Sequence, residues 1–231
     1  MASTFSDRPI DTICLDAGGT LVWPNWKRVR DELAAQGIDV DASSLAAADP
    51  RVRRSLDERH LIASSIDQSR AWNFFEAVLT TAGVELTAGA RRALSGIEEY
   101  QRTMNVWEHV PQFVAPTLVE LRRLGYKLVV VSNANGTVRQ AFQRIGLFDL
   151  VDVIVDSAEE GFEKPDRRLF DVALRCAGAN HSRALHAGDI YHIDVAGARA
   201  AGLTPVLVDE AASTRTPTAL ASGRSPSFRP C

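Results

Sequence analysis

Apolar runs and helical periodicities alternate along the second half of this chain. Residues 127–131, Lys followed by Leu and three Val, form a run of buried-strand type, and 151–155, 184–187 and 205–208 are strand-like as well. Helical patterns lie between them: 135–145 ended by Gly146, 166–177 following Pro165 and ended by Gly178, and 194–201 closed by Gly202. Proline suits a helix start because the first-turn N–H it lacks has no intrahelical partner, and glycine suits the left-handed turn past a helix end. Strand and helix in this order, at βαβ spacing, predict an α/β fold with a doubly wound parallel sheet, residues 10–15 supplying its first strand. A helix over 115–124 leads back into that core.

Between Trp23 and Trp107 the pattern changes. β-Branched runs almost vanish, and amphipathic helical patterns cover 26–36, 43–62, 67–81 and 88–104, punctuated by Gly37, Pro50 and Gly83. This predicts an all-helical domain inserted after the first strand, with residues 1–21 and 108–210 forming the core and 22–107 the insertion. Residues 211–231 are rich in Ala, Ser, Thr, Pro and Arg without apolar periodicity and read as a mobile tail.

Composition narrows the function classes. The 231 residues are 45% hydrophobic and 24% charged, enough for one large core or two smaller ones. A net charge of -3 offers no electrostatic case for nucleic acid or an anionic membrane. The chain contains no long apolar run, and its first nine residues lack the apolar centre of a signal peptide. Cys14, Cys176 and Cys231 are odd in number and far apart, so they predict neither a disulfide framework nor a metal cluster; the expected location is a reducing cytoplasm. Oligomeric state is open between monomer and homodimer.

Four segments carry candidate chemistry, and each has a plain structural alternative. In Ile13-Cys14-Leu15-Asp16-Ala17-Gly18-Gly19-Thr20-Leu21 an apolar strand ends in one carboxylate, at the sheet edge where α/β proteins bind ligands; the alternative is an Asp-initiated glycine turn. Ser132-Asn133 at the end of the 127–131 run could offer a hydroxyl to an anion or simply cap the next helix. Lys164, before Pro165, is one of only three lysines (with Lys27 and Lys127); it either aims its ammonium at a phosphoryl oxygen or is a solvated loop residue. Asp189 follows Gly188 at a strand end and Asp194 comes five residues later. Beside Asp16 the two would make a hard oxygen site suited to Mg²⁺; singly they read as a turn Asp and a helix cap.

In this order and spacing the four segments resemble the haloacid dehalogenase superfamily. The segment from Asp16 to Thr20 corresponds to its first motif, Ser132 with Asn133 to the second, Lys164 to the third, and Asp189 with Asp194 to the fourth. The helical insertion resembles that family's cap on a Rossmann-like core. The resemblance implies that Asp16 attacks phosphorus and forms an aspartyl-phosphate that water hydrolyses. It implies Mg²⁺ held by Asp16, Asp189 and the Gly18 carbonyl, Ser132 and Lys164 on the phosphoryl oxygens, and Asp194 orienting Lys164 or a metal-bound water. The implied substrate is a small phosphorylated metabolite.

One position departs from the pattern. Phosphatases of the family usually carry a second Asp where this chain has Gly18, and that group protonates the leaving oxygen, a contribution of about 10²–10⁴-fold in rate. Its loss leaves the proton to a bound water, His192 or Lys27. Dehalogenases lack this Asp too, but also lose the metal-binding carboxylate that Asp189 keeps here. Phosphonoacetaldehyde hydrolases have a small residue there and need a cap lysine, for which Lys27 is the sole candidate. A non-catalytic binding or regulatory domain is the remaining alternative. Substrate choice falls to the segments entering and leaving the cap, where Trp23, Trp26 and Trp107 either cover a leaving group or pack the hinge.

Overall fold

The computed structural model describes residues 10–58 and 67–208. The end of the 43–62 helical pattern, the first nine residues, Cys231 and the 211–231 tail lie outside the described residues. In chain order the first half holds β1 (Thr12–Leu15), β2 (Trp23–Pro24), α1 (Trp26–Ala34), α2 (Ala42–Glu58), α3 (Asp67–Thr81), α4 (Ala88–Thr103) and β3 (Trp107–His109). The second half holds α5 (Val114–Arg123), β4 (Lys127–Ser132), α6 (Val138–Arg144), β5 (Val153–Asp156), α7 (Ser157–Glu160), α8 (Arg167–Ala177), β6 (Ala184–Gly188), α9 (Ala196–Ala201) and β7 (Thr204–Leu207).

Five strands form a wholly parallel sheet in the order β5-β4-β1-β6-β7. Residues alternate across it, as strand geometry requires. Ile13, Leu15, Leu128, Val130 and Ile154 face α5 and α6, while Cys14, Val129, Val131 and Val155 face α8 and α9. A sheet buried on both faces explains why its strands read as continuous apolar runs rather than alternating ones. β1 sits between β4 and β6, so the chain winds away from it in opposite directions and a crevice opens beyond the C-terminal ends of these three strands.

The four helices α1–α4 build a separate hydrophobic cluster around Leu33, Leu45, Val52, Phe75, Val78, Leu79 and Ile97. Together they form a helical cap joined to the core by two chain crossings. These crossings pair as a short antiparallel ribbon, Trp23 opposite His109 and Pro24 opposite Trp107. The hydrophobic pattern gives no hint of this ribbon, because segments of two and three residues are too short for a period. Pro50, read as punctuation, lies inside α2 and the helix continues through it.

Two core helices begin later than their periodicity suggests. The 135–145 pattern becomes helix only at Val138: Gly136 takes a left-handed φ of 87°, and the Asp156 carboxylate accepts the amides of Gly136 and Val138. The 194–201 pattern is preceded by a π turn over Tyr191–Val195, and α9 proper starts at Ala196. Both departures lie at the crevice, where side chains replace the backbone as partners for the first amides. Among the described residues no helix is long and apolar enough to cross a membrane.

Candidate active site

Asp16 leaves β1 at the head of the crevice, its amide bonded to the Ala187 carbonyl of β6 at 2.9 Å. Ser132 ends β4 beside it in the sheet and is buried. Lys164, from the loop between α7 and α8, is only 1% exposed and donates to Asp16 Oδ1 and Asp194 Oδ1, both at 2.7 Å. The solvated-loop reading of Lys164 is therefore corrected: its stem lies inside the protein and its ammonium joins two carboxylates. Asn133 does not cap α6, whose N-cap is Thr137. Instead its side chain brackets the Lys164 peptide, accepting from the amide at 2.7 Å and donating to the carbonyl at 2.9 Å. Asp194 does not serve as a plain helix cap either. It spends Oδ1 on Lys164 and His186 and Oδ2 on the Ile190 amide.

Asp16, Asp189 and Asp194 bring carboxylate oxygens within 4.8 Å of one another, a cluster that can hold a divalent cation. Asp194 is committed to its neighbours, and Asp16 and Asp189 are each held through one oxygen, by Lys164 and Arg53. Asp189 Oδ1 is buried without a partner among the described residues, the state expected of an oxygen that awaits a ligand. Burial pushes the Asp189 carboxyl up to about 7, with Arg53 pulling against it and Asp16 and Asp194 adding to it. Burial also raises Asp16, opposed by the Lys164 ammonium. Asp194 is held below the usual carboxylate range: burial acts against this, but Lys164 and the His186 hydrogen bond outweigh it. Burial would lower Lys164, yet Asp16 and Asp194 hold it above its ordinary value and so charged.

The first motif turns tightly, with Gly19 N bonded to Val22 O and Val22 N to Ala17 O, so the Gly18 carbonyl takes part in neither bond. A Cβ on Gly18 would lie 3.3 Å from Cε3 of Trp107, whose indole covers the place of a side chain there. Trp107 stacks on Phe74 of the cap, ring centroids 5.7 Å apart. Trp23 packs edge-on against Phe113, at 6.4 Å. Trp26 is buried in the cap cluster, its ring against Phe74 and Phe75. Thr20 Oγ1 is buried with no partner among the described residues. Lys27 is exposed on α1, and His192 is bonded through Nδ1 to Asp57 of the cap at 2.7 Å.

A family model described as haloacid dehalogenase-like hydrolase matches residues 10–202. The chain belongs to this family. Among its relatives, a glyceraldehyde 3-phosphate phosphatase of Methanothermobacter thermautotrophicus is 39% identical over 95 residues, covering 40% of this chain and 42% of that protein. The aligned part is thus less than half of that relative's length. Haloacid dehalogenase-like hydrolase domain-containing protein 3 of Bos taurus is 26% identical over 178 residues, covering 75% of this chain and 70% of its own. In fold the chain is similar to YfnB of Bacillus subtilis, solved bound to magnesium, with a TM-score of 0.64, 19% identity, and coverage of 92% and 91% of the two chains.

Against that family pattern, three residues at the site escaped the sequence reading. Asp49, Arg53 and Asp57 follow one another at helical spacing on α2, an acid–base–acid stripe that was visible as an i, i+4, i+8 pattern but resembled an ordinary solvated face. Arg53 donates Nη1 to Asp189 Oδ2 at 2.9 Å and Nε to Asp49. His186 is a fourth: a fully buried imidazole on β6 whose Nε2 meets Asp194 Oδ1 at 2.9 Å. A polar residue inside an apolar strand was its only signal.

Proposed function

We propose that this haloacid dehalogenase-like protein is a Mg²⁺-dependent phosphatase acting on a small phosphorylated metabolite, with Asp16 as nucleophile. The observation that carries the reading is the triad of Asp16, Lys164 and Asp194 beside an open oxygen of Asp189. Lys164 holds Asp16 through Oδ1, the oxygen that would also meet the cation, and the second carboxylate oxygen attacks phosphorus. The P–O bond to the leaving group breaks as the Asp16 O–P bond forms, and water then cleaves the acyl phosphate and regenerates the carboxylate. The Lys164 ammonium and the Ser132 hydroxyl meet the charge on the phosphoryl oxygens, where fixed charge and position supply most of the rate in such transfers. Asp194 keeps Lys164 charged and aimed, and His186 and the Ile190 amide keep Asp194 in place. Asp16, Asp189 and the Gly18 carbonyl would hold Mg²⁺, which when bound neutralises charge between nucleophile and phosphate.

Gly18 lends no proton to the leaving oxygen, and with His192 engaged by Asp57 and Lys27 exposed, solvent is left to supply it. The same position of Lys27 weighs against a Schiff base on a cap lysine. The partnerless Asp189 oxygen weighs against halide displacement, which has no use for a cation. The indole over Gly18 suits an organic leaving group that departs readily. Accordingly an aryl phosphate, which needs little protonation, should be hydrolysed in the presence of Mg²⁺, and Asp16→Asn should abolish turnover. Absence of turnover by the wild type, with no capture of beryllium fluoride on Asp16, would assign the fold to a binding module instead.

A further inference from the structure

The cap reaches into the carboxylate cluster along one face of α2. Arg53 is fixed from several sides: Asp49, 1% exposed, accepts from its Nε, and its guanidinium lies 5.0 Å from the Phe74 ring and 4.8 Å from the Trp107 ring. From there Nη1 grips Asp189 Oδ2 at 2.9 Å. The approach passes over Gly19, where a Cβ would stand 2.4 Å from Asp189 Oδ2 and 2.5 Å from Arg53 Nη1, so only glycine admits the contact. One turn further along α2, the Asp57 carboxylate accepts the amides of Tyr191 at 3.0 Å and His192 at 3.2 Å. A single helix face therefore holds both Asp189 and the loop that follows it.

We propose that the cation site is completed from the cap: Arg53 is a positioning residue that occupies Oδ2 of Asp189 and so turns Oδ1 toward the ion. The proposal rests on the reading of Asp189 as a metal ligand. A carboxylate on a loop can rotate, and a charge-assisted hydrogen bond to one oxygen limits that rotation and leaves the other oxygen as the free acceptor. Here that second oxygen is the buried, partnerless Oδ1. Asp49 balances the charge of Arg53, so the pair orients Asp189 without placing an uncompensated cation beside the site. Cap docking and cation binding are then linked, and each must strengthen the other by the same factor.

Mn²⁺ and Mg²⁺ binding to the full chain, measured by calorimetry without substrate, tests this together with amide exchange along α2. Outer partners of metal ligands are worth about 10–100-fold in affinity, so Arg53→Met should weaken binding by about tenfold or more. Arg53→Lys, which keeps the charge but loses the planar fork, should recover part of it. Asp57→Asn touches neither the ion nor Asp189, yet should weaken binding several-fold by loosening the loop. Mg²⁺ should slow exchange of the 49–57 amides in the wild type and not in Arg53→Met. Wild-type affinity in both Arg53→Met and Asp57→Asn, or tighter binding in Arg53→Met, overturns the proposal while leaving Asp189 a ligand. If Asp189→Asn also binds as the wild type does, the underlying metal reading has failed as well.

Discussion

At Gly18 the absence of a side chain has two consequences that only the folded chain separates. In the sequence it is a missing proton donor. In the structure it is also the floor under Trp107, whose indole lies 3.3 Å from where a Cβ would be. Replacing it is therefore not a simple restoration of a carboxylate. Gly18→Asp should displace the indole and destabilise the protein by about 1–3 kcal/mol, the usual cost of overfilling a packed site. Turnover of unactivated phosphate esters should not rise; a thermal melt beside an assay on alkyl and aryl phosphates checks both. A strong gain with unactivated esters would mean that Trp107 yields easily and the missing acid was the sole limit. Lys164 shows the same division. Its position before Pro165 suggested an ammonium aimed at a phosphoryl oxygen or a solvated one, and burial between Asp16 and Asp194 excludes the second.

At the scale of elements, the loop after β4 and the loop between α7 and α8 are built to hold one another. Asn133 looked like a helix cap because Asn and Ser favour such positions. Its two hydrogen bonds to the Lys164 main chain instead tie the second motif to the third across the crevice. Asn133→Ala should cost about 1–3 kcal/mol for the two buried backbone groups left without their partner. It should also lower kcat/KM by about 10²-fold by letting the ammonium drift, since misplacement near 1 Å has that effect. Stability lost with kcat/KM unchanged would reduce Asn133 to a structural brace. Helix and strand assignments survived well where periods are long, as in α3, α4 and α8. They drifted at 135–137, where Asp156 captures amides that local pattern alone would give to a helix, and at 194–195, which belong to a π turn ahead of α9.

Across the whole molecule, two separate hydrophobic clusters meet at a charged seam, and that seam contains the cation cluster. On the proposed function, Asp189 ties cation binding to stability. Without a cation its carboxyl stands at about 7 in the folded chain against an ordinary 3.8, so the folded state keeps a proton that the unfolded chain has released between these values. The contribution of this group is therefore fully present below 3.8 and is lost as pH rises through about 7. A bound divalent cation replaces the proton. The rise in Tm on adding Mg²⁺ should grow with pH up to about 7 and level off above it, as the cation ceases to compete with a proton. Melting curves with Mg²⁺ and with a chelator across this range measure it, and a pH-independent rise would place the cation away from Asp189. The sequence by itself determined the parallel core and the inserted helices, because hydrophobic period is a local property, and it named Asp16, Ser132, Lys164, Asp189 and Asp194 as candidates through the order and spacing of four motifs. Only the tertiary structure decided that Trp107 fills the space above Gly18, that Asn133 serves Lys164, and that Arg53 grips Asp189. Each of these joins residues from elements far apart in the chain, and no local period records which distant face a side chain will meet.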